Sequence, residues 1–237
     1  MNLILFANHE LNHSHHLTLT DHRFTHIRDI HRARVGEYLR VGEINGLMGS
    51  GQIIRIDDKS VEMEVTLSEP PPAKIPLTLI LALPRPKMTR RLFRTVAELG
   101  ISKLHIINSY KVEKSYWQSP SIRPENVERY LLDGLQQAKD TVPPMVRFHP
   151  LFKPFVEDQL PGLAADTLKL LAHPETGTAC PDSLDRAITL AIGPEGGFTR
   201  YEVEKFMAAE FAAIHLGPRI LRVENAVTAL ASRLFSC

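Results

Sequence analysis

The chain has 237 residues, with 28 Lys and Arg against 27 Asp and Glu, and its net charge of +1 indicates no particular partner. This length can bury a hydrophobic core without disulfides or a structural metal. The apolar run at residues 3–7 is too short for a signal peptide or a membrane span. Cys180 and Cys237 form no motif and suit a reducing compartment. We therefore expect a soluble, cytoplasmic protein.

Residues 1–72 are typical of a separate, strand-rich domain. The segments 38–44, 52–56 and 61–67 alternate in polarity or are rich in β-branched residues, which predicts strands. Residues 45–51 are the expected hairpin connection between the first two. Several short strands in so small a domain predict a β-barrel.

Histidine and arginine are concentrated at the start of this domain. Seven of the eleven histidines lie within the first 31 residues, but no cysteine is nearby and their spacing matches no zinc motif. We therefore expect no metal. Arg28, Arg32 and Arg34 are candidates for RNA phosphate contacts, and a solvated helix face explains them equally well.

Three consecutive prolines within residues 69–74 predict a stiff linker into a second domain, 73–237. The predicted strands of this domain are 77–83, 103–108, 146–148, 167–173, 188–192 and 212–216. The predicted helices are 89–99, 124–138, one that begins at Thr199, and 224–235. Alternating strands and helices predict an α/β fold with a mainly parallel sheet that helices cover on both faces.

The local segment from 85 to 129 is basic within an otherwise neutral chain, which is typical of phosphate contacts. Its cations are Arg85, Lys87, Arg90, Arg91, Arg94, Lys103, Lys111, Lys114, Arg123 and Arg129. Tyr110, Tyr116 and Trp117 lie among them and are candidates for stacking on unpaired bases. The alternative is a solvated helix face followed by ordinary loop aromatics.

The last two predicted strands run directly into turns of Gly and Pro, at 193–197 and 217–218. Ligands of open α/β sheets bind at the carboxyl ends of the strands, so the two turns predict the two sides of one site. Thr199 lies three residues before Glu202, which predicts a capping box at a helix N-terminus. Such a terminus suits an anion or the polar edge of a ligand. The first turn alone is equally consistent with an ordinary tight connection.

The sequences IGPEGGF at 192–198 and LGPRILR at 216–222 resemble the SPOUT superfamily of S-adenosylmethionine-dependent RNA methyltransferases. The closest resemblance is to the family that methylates N3 of a uridine in 16S ribosomal RNA. The segment that ends in Glu98, Leu99 and Gly100, and LAHPE at 171–175, resemble other parts of that family. The resemblance implies a trefoil knot in the C-terminal domain and a PUA-like, RNA-binding N-terminal barrel. It also implies a homodimer that buries Leu230, Leu234 and Phe235 against a second copy.

The resemblance assigns S-adenosylmethionine binding to three loops. Their residues are Leu171, His173 and Pro174; Ile192, Gly193, Glu195, Gly196 and Gly197; and Leu216, Gly217, Ile220, Leu221 and Arg222. Attack by uridine N3 requires the loss of its weakly acidic proton, and a nearby cation stabilises the resulting anion. Arg222 is the first candidate for that cation, ahead of Arg219, and Glu224 is a candidate to act as the base or to orient Arg222. Arg85, Lys87, Arg90 and Arg91 are further candidates for RNA contact.

The predicted activity is therefore S-adenosylmethionine-dependent methylation of N3 of a uridine in 16S ribosomal RNA. The expected partner is ribosomal RNA or the small ribosomal subunit. Val223, Asn225 and Thr95 depart from the usual pattern of the resembled family. These departures leave two alternatives open. One is a SPOUT methyltransferase that acts on another nucleotide or on a ribose hydroxyl, and the other is an RNA-binding relative with impaired catalysis. A nucleotide-phosphate enzyme is the weakest alternative because the glycine loop lacks the Lys-Ser/Thr pair of phosphate cradles.

Overall fold

The computed structural model describes residues 2–174 and 176–235. Glu175, the end of the LAHPE segment, and Cys237 lie outside the described residues. The chain divides into two compact units. The first consists of Met1–Ala73 and Leu132–Pro143, and the second of Lys74–Leu131 and Pro144–Cys237. Residues 132–143 belong to the predicted second domain in sequence, but they group with the first unit.

The first unit is built on a five-stranded mixed sheet with the order β1-β3-β4-β5-β2. Strand β1 is parallel to β3, and the other neighbours are antiparallel. The strands are β1 Ile4–Phe6, β2 His16–Leu19, β3 Tyr38–Glu43, β4 Met48–Ile56 and β5 Val61–Glu69. A short helix, α1 His22–Thr25, continues into a π-helical turn at His26–His31, and a 3-10 turn covers Asn8–Glu10.

The hairpin between β3 and β4 differs from the prediction. Strand β4 begins at Met48, so the connection is shorter than residues 45–51, and Asn45 supplies a left-handed turn residue with φ 64°. Gly49 and Gly51, which the prediction placed in the connection, lie inside the strand. A Cβ on Gly49 would come within 1.9 Å of the Thr66 carbonyl oxygen, so the close approach of two backbones requires glycine there.

The second unit contains a six-stranded, fully parallel sheet with the order β11-β9-β10-β6-β7-β8. Its strands are β6 Ile75–Ala82, β7 Ile101–Ile107, β8 Met145–His149, β9 Leu168–Ala172, β10 Ile188–Ile192 and β11 Ala212–Ile214. Its helices are α2 Pro86–Glu98, α4 Phe152–Pro154, α5 Leu160–Leu163, α6 Arg200–Ala208 and α7 Val223–Leu234, and a π-helical turn covers Phe155–Gln159. Helix α3, Pro124–Ala138, begins in this unit, and its residues from Leu132 onward belong to the first unit. Short 3-10 turns lie at Lys114–Gln118 and Pro120–Ile122. The predicted α/β fold with a parallel sheet is confirmed.

Strand β10 lies between β9 and β6, and all five of its residues are buried. A strand with both faces covered needs apolar or internally bonded side chains, which explains the unbroken sequence Ile-Thr-Leu-Ala-Ile. The one polar residue, Thr189, shares a hydrogen bond of 2.7 Å between its hydroxyl and that of Thr167. The strand thus fixes the position from which the glycine-rich loop at 193–197 emerges.

The end of the chain corrects one expectation. Leu230, Leu234 and Phe235 are 1%, 0% and 6% exposed within the single chain. They pack on their own subunit and are therefore not a surface that needs a second copy for burial. Within the described part of the chain, no helix combines the length and apolar character that crossing a membrane requires.

Candidate functional site

Three loops meet at the carboxyl ends of the neighbouring strands β11, β9 and β10. They follow Ile214, Ala172 and Ile192, and they enclose a cavity of about 560 Å³. The lining residues are Lys111, Ala172, His173, Pro174, Ile192, Gly193, Pro194, Glu195, Gly196, Gly197, Phe198, Ile214, His215, Leu216, Gly217, Arg219, Ile220, Leu221, Arg222, Val223, Ala226 and Leu230. The size is typical of a small-molecule site, and so is the mixture of apolar walls with a few polar groups.

The loop after β10 forms a tight turn that glycine makes possible. The Gly197 N–H donates to the Pro194 carbonyl at 2.7 Å, and Gly197 has φ +70°, where a side chain would be strained. A Cβ on Gly193 would lie 3.0 Å from the Phe198 nitrogen. Proline and glycine therefore hold this loop in one shape and bring its backbone to the cavity surface.

The predicted capping box at the start of α6 is confirmed. The Thr199 hydroxyl accepts the Glu202 N–H at 3.3 Å, and the Glu202 carboxylate accepts the Thr199 N–H at 2.7 Å. Glu202 is only 2% exposed, and its other oxygen accepts the Tyr110 N–H at 2.8 Å. One buried carboxylate therefore fixes both the end of the glycine loop and a turn that follows β7.

The loop after β11 is shaped by a histidine and a second glycine. The Gly217 N–H donates to Nδ1 of His215 at 2.9 Å, and Gly217 has φ +111°. The loop then runs to Arg222, which is the N-cap of α7. Ile220 is 84% exposed and Leu221 39% exposed, although both line the cavity. Apolar side chains at an open cavity surface suit a ligand with a flat, apolar face.

The third loop, from 173 to 187, is tied to the end of β11 and to the end of α7. The His173 N–H donates to the Ile214 carbonyl, and the Cys180 N–H donates to the His215 carbonyl, at 2.9 and 2.8 Å. Further along, the Ser183 N–H donates to the Arg233 carbonyl at 2.8 Å. These bonds position His173 and Pro174 on the cavity wall.

Cations dominate the charge around the cavity. Among the described residues that line the cavity, Glu195 is the one carboxylate, and its Oε1 lies 3.6 Å from Nε of Arg85. The Lys111 ammonium donates to the Gly196 carbonyl at 2.6 Å. Within residues 2–174 and 176–235, neither Arg219 nor Arg222 has an ion pair. The cavity thus presents positive charge to a ligand or to a developing anion.

The sequence profile of the family described as "RNA methyltransferase domain" matches residues 71–235. The chain belongs to the RNA methyltransferase family. It is 33% identical over 236 residues to a protein of Treponema pallidum named "Ribosomal RNA small subunit methyltransferase E", covering 97% of this chain and 88% of that one. A protein of the same name from Synechocystis is 27% identical over 224 residues, covering 92% of this chain and 72% of that one.

The fold of this RNA methyltransferase matches a crystal structure from Neisseria gonorrhoeae. That protein is a ribosomal RNA small subunit methyltransferase E bound to S-adenosyl methionine. The TM-score is 0.76 and the identity 20%, with coverage of 98% of this chain and 95% of that one. The likeness extends to both units of the chain.

The structure brings together most of the residues that the sequence assigned to cofactor binding in this methyltransferase. All of them line the cavity except Leu171, which is 0% exposed inside β9. Arg222 lines the cavity as well. Glu224 is 8% exposed in the first turn of α7 and is not among the lining residues.

The residues assigned to RNA contact lie at the surface. Arg85, Lys87, Arg90 and Arg91 are exposed on the N-cap and first turns of α2, and Arg28, Arg32 and Arg34 are exposed in the first unit. Arg28 is engaged locally, because its guanidinium donates to the Asp29 carboxylate at 2.7 and 3.0 Å. In the described residues, no group of three or more His, Cys, Asp or Glu is placed to hold a metal ion.

The sequence did not assign several residues of the cavity wall, among them Lys111, Phe198 and His215. Phe198 is the last residue of the first motif and His215 directly precedes the second, so their position in the sequence was an available signal. Lys111 had no such signal, because it follows β7 and reaches Gly196 across 85 positions of sequence.

Proposed function

We propose that this chain methylates N3 of a uridine in 16S ribosomal RNA, with S-adenosylmethionine as the methyl donor. One observation carries the proposal. Loops from three neighbouring parallel strands, two of them with glycine turns, line one cavity in a chain of the RNA methyltransferase family. The relative from Treponema pallidum is named for ribosomal RNA of the small subunit, and the fold neighbour from Neisseria gonorrhoeae holds S-adenosyl methionine.

The residues of the cavity fit such a donor. Ile192, Leu216 and Leu221 supply apolar walls for an adenine ring, and the glycine turns expose backbone groups that suit its polar edge. Arg219 suits the carboxylate of the amino-acid part. Gly197 and Gly217 meet no heavy atom within 4 Å at their Cβ positions, so their backbones border open space.

The residues of this chain have two tasks in the reaction. When bound, the donor supplies a methyl group whose bond to the cationic sulfur breaks with its electron pair as uridine N3 bonds to the carbon. The loops hold the acceptor in line with that carbon, which lowers the entropy cost of the reaction. Arg222 stabilises the charge that remains when N3 loses its proton. Water or a side chain takes that proton.

Glu224 suits a positioning role better than the role of base. It is buried in the first turn of α7 and does not reach the cavity wall, whereas Arg222 caps the same helix and does. A carboxylate near a helix N-terminus stabilises that end of the helix. Glu224 thereby holds the backbone from which Arg222 projects.

For RNA contact, we assign the basic residues at the start of α2 and, separately, Arg28, Arg32 and Arg34 in the first unit.

A PUA-like barrel is the proposed form of the first unit. Its edge strands β1 and β2 contribute Phe6 and Leu17 to the same hydrophobic core, which supports a sheet curled on itself. The reaction would take place in the cytoplasm, where small subunits are assembled.

A trefoil knot is the proposed path of the C-terminal segment. The loop at 173–187 bonds on one side to β11, through Cys180 and His215, and on the other to the end of α7, through Ser183 and Arg233. This double attachment supports a chain end that passes through the loop. A homodimer through the second unit is proposed with it, and sedimentation of the purified protein tests it.

The deciding experiment is mass-spectrometric mapping of 16S ribosomal RNA from a strain that lacks the protein. We expect one N3-methyluridine to be missing and to return when purified protein and S-adenosylmethionine are added to the small subunits. An unchanged modification pattern would overturn the proposal. Calorimetry with the donor separates a relative that has lost catalysis, because such a chain binds RNA but shows no affinity for the donor.

A further inference from the structure

A tight turn after β7 presents two side chains beside the cavity. The Val112 N–H donates to the Ser109 carbonyl at 3.0 Å, so Tyr110 and Lys111 occupy the central positions of the turn. Because β7 is parallel to the strands of the site, its carboxyl end lies at the same edge of the sheet. The turn is therefore placed to contact a molecule that approaches the cavity opening.

The backbone of this turn is held from beneath. The buried Glu202 carboxylate accepts the Tyr110 N–H at 2.8 Å and, through its other oxygen, the Thr199 N–H at 2.7 Å. Charge-assisted bonds to a buried carboxylate are among the stronger hydrogen bonds in proteins. The position of Tyr110 is consequently fixed relative to the glycine loop that precedes Thr199.

Lys111 is part of the cavity wall. Its ammonium donates to the Gly196 carbonyl at 2.6 Å, and a Cβ on Gly196 would lie 2.9 Å from Cδ of the lysine. The lysine stem therefore packs on the glycine. An ammonium has three N–H donors and no acceptor, and the Gly196 carbonyl uses one of them. Donors remain for a ligand in the cavity.

Tyr110 combines a fixed backbone with an exposed ring. The residue is 86% exposed, the highest value among the exposed large hydrophobic residues of the described chain. An aromatic ring in water gains free energy when a flat partner covers it, and unpaired RNA bases stack on tyrosine in this way. Lys111, the next residue of the turn, places a positive charge beside a base stacked in this way.

We propose that Tyr110 and Lys111 form the subsite for the target uracil. This inference rests on the proposed function. The Tyr110 ring stacks on the flipped base, and the Lys111 ammonium donates to a carbonyl oxygen beside N3. When N3 loses its proton, the negative charge spreads to these oxygens, so the ammonium stabilises the reacting form. Lys111 also selects uracil over cytosine, because a donor-only group finds an oxygen at uracil position 4 and an amino donor at that position of cytosine.

The test compares four variants with the wild type: Tyr110→Ala, Tyr110→Phe, Lys111→Met and Lys111→Arg. The substrate is small subunits that lack the modification, and the affinity for S-adenosylmethionine is measured by calorimetry. We expect Tyr110→Ala to lower kcat/KM at least about 10-fold, as the loss of one base-stacking contact does, while Tyr110→Phe retains it. Lys111→Met should lower kcat, because the ammonium no longer stabilises the N3 anion of the uracil. The pH–rate profile should move to higher pH, because deprotonation of N3 then requires a higher pH. Lys111→Arg should restore much of the rate.

A binding measurement adds a readout independent of turnover. Trp117 is the single tryptophan of the chain, and its indole N–H donates to Asn108, which directly precedes the turn. Its fluorescence should report binding of a short oligoribonucleotide with one unpaired uridine. The wild type should prefer that RNA to its cytidine counterpart, and Lys111→Met should lose the preference. The affinity for S-adenosylmethionine should remain within about twofold in the Tyr110 variants, and in the Lys111 variants it should fall less than the rate does.

The outcomes separate the two proposals. If the wild type transfers no methyl group to the subunits, the proposed function fails. If the wild type is active and both Tyr110→Ala and Lys111→Met match it in kcat/KM, pH profile and base preference, only the uracil subsite is overturned. The subsite is also overturned if Lys111→Met loses as much affinity for S-adenosylmethionine as it loses rate. Lys111 would then act only by holding the Gly196 loop.

Discussion

The Glu202 carboxylate accepts the Tyr110 backbone N–H at 2.8 Å, across 92 positions of sequence. The same side chain closes the capping box at Thr199. It therefore links the loop after β10 to the turn after β7. The turn after β7 carries Lys111 to the cavity wall. The positions of this turn and of the glycine loop after β10 therefore both depend on Glu202.

Replacing Glu202 by Gln tests this link. Both carboxylate oxygens accept backbone N–H groups, whereas Gln offers one oxygen and places an amino group at the other position. One buried donor is then left without a partner, which costs about 1–3 kcal/mol. We expect a lower free energy of unfolding in urea and slower methyl transfer.

Glu204→Gln is the matched control on the same helix. Glu204 is solvent-exposed and pairs with Arg200 at 2.8 Å, a surface ion pair of the kind that contributes at most about 1 kcal/mol. Its replacement should leave the urea midpoint and the rate nearly unchanged. Equal stabilities of the two variants would show that Glu202 does not hold the loops together.

Replacing Arg222 by Ala tests the cation of the proposed mechanism. Arg222 lines the cavity and has no ion pair within the described residues, so its charge is available to the anionic form of the base. We expect transfer to fall at least about 100-fold, the size of effect produced by removing one transition-state donor. The affinity for S-adenosylmethionine in calorimetry should remain largely intact. Arg219→Ala is the matched control and should cost less rate. Wild-type turnover by Arg222→Ala would remove this residue from the mechanism.

Local patterns predicted the parts of this structure that depend on neighbours in sequence. The capping box at Thr199, the glycine turn at 193–197 and the alternation of strands and helices follow from short-range rules. Strands β1 and β2 were missed because they are only three and four residues long and gain their stability from partners far along the chain. The same reason explains why Lys111 was known as a basic residue but not as part of the site.

Two glycines of similar conformation separate backbone strain from contact with the donor. Gly197 and Gly100 have φ +70° and +66°, and neither has a heavy atom within 4 Å of its Cβ position. Alanine at either position costs about 1–2 kcal/mol in the left-handed conformation. Only Gly197 lines the cavity. We therefore expect similar losses of stability in urea, but weaker donor binding in calorimetry for Gly197→Ala alone. Equal donor affinities would mean that the glycine turn does not contact the donor.

A buried histidine pair in the second unit predicts how stability depends on pH. Nδ1 of His105 and Nε2 of His149 are 2.9 Å apart, and His105 is 3% exposed. Burial, with nearby positive charge as a smaller cause, lowers the pKa of His105 to about 4 from its usual 6.5. Burial also lowers the pKa of His149. Between pH 6.5 and 4, the unfolded chain therefore binds more protons at these two histidines than the folded chain does.

The free energy of unfolding therefore has its full value above pH 6.5 and decreases as the pH falls toward 4. The decrease due to His105 is on the order of 3 kcal/mol. Urea unfolding at a series of pH values measures this slope. His105→Phe removes the titrating group, and its own packing cost is the same at every pH, so its slope should be shallower than that of the wild type. His9→Gln, a change at the surface of the first unit, is the control and should keep the wild-type slope. Identical slopes for the wild type and His105→Phe would show that the buried pair does not control the loss of stability in acid.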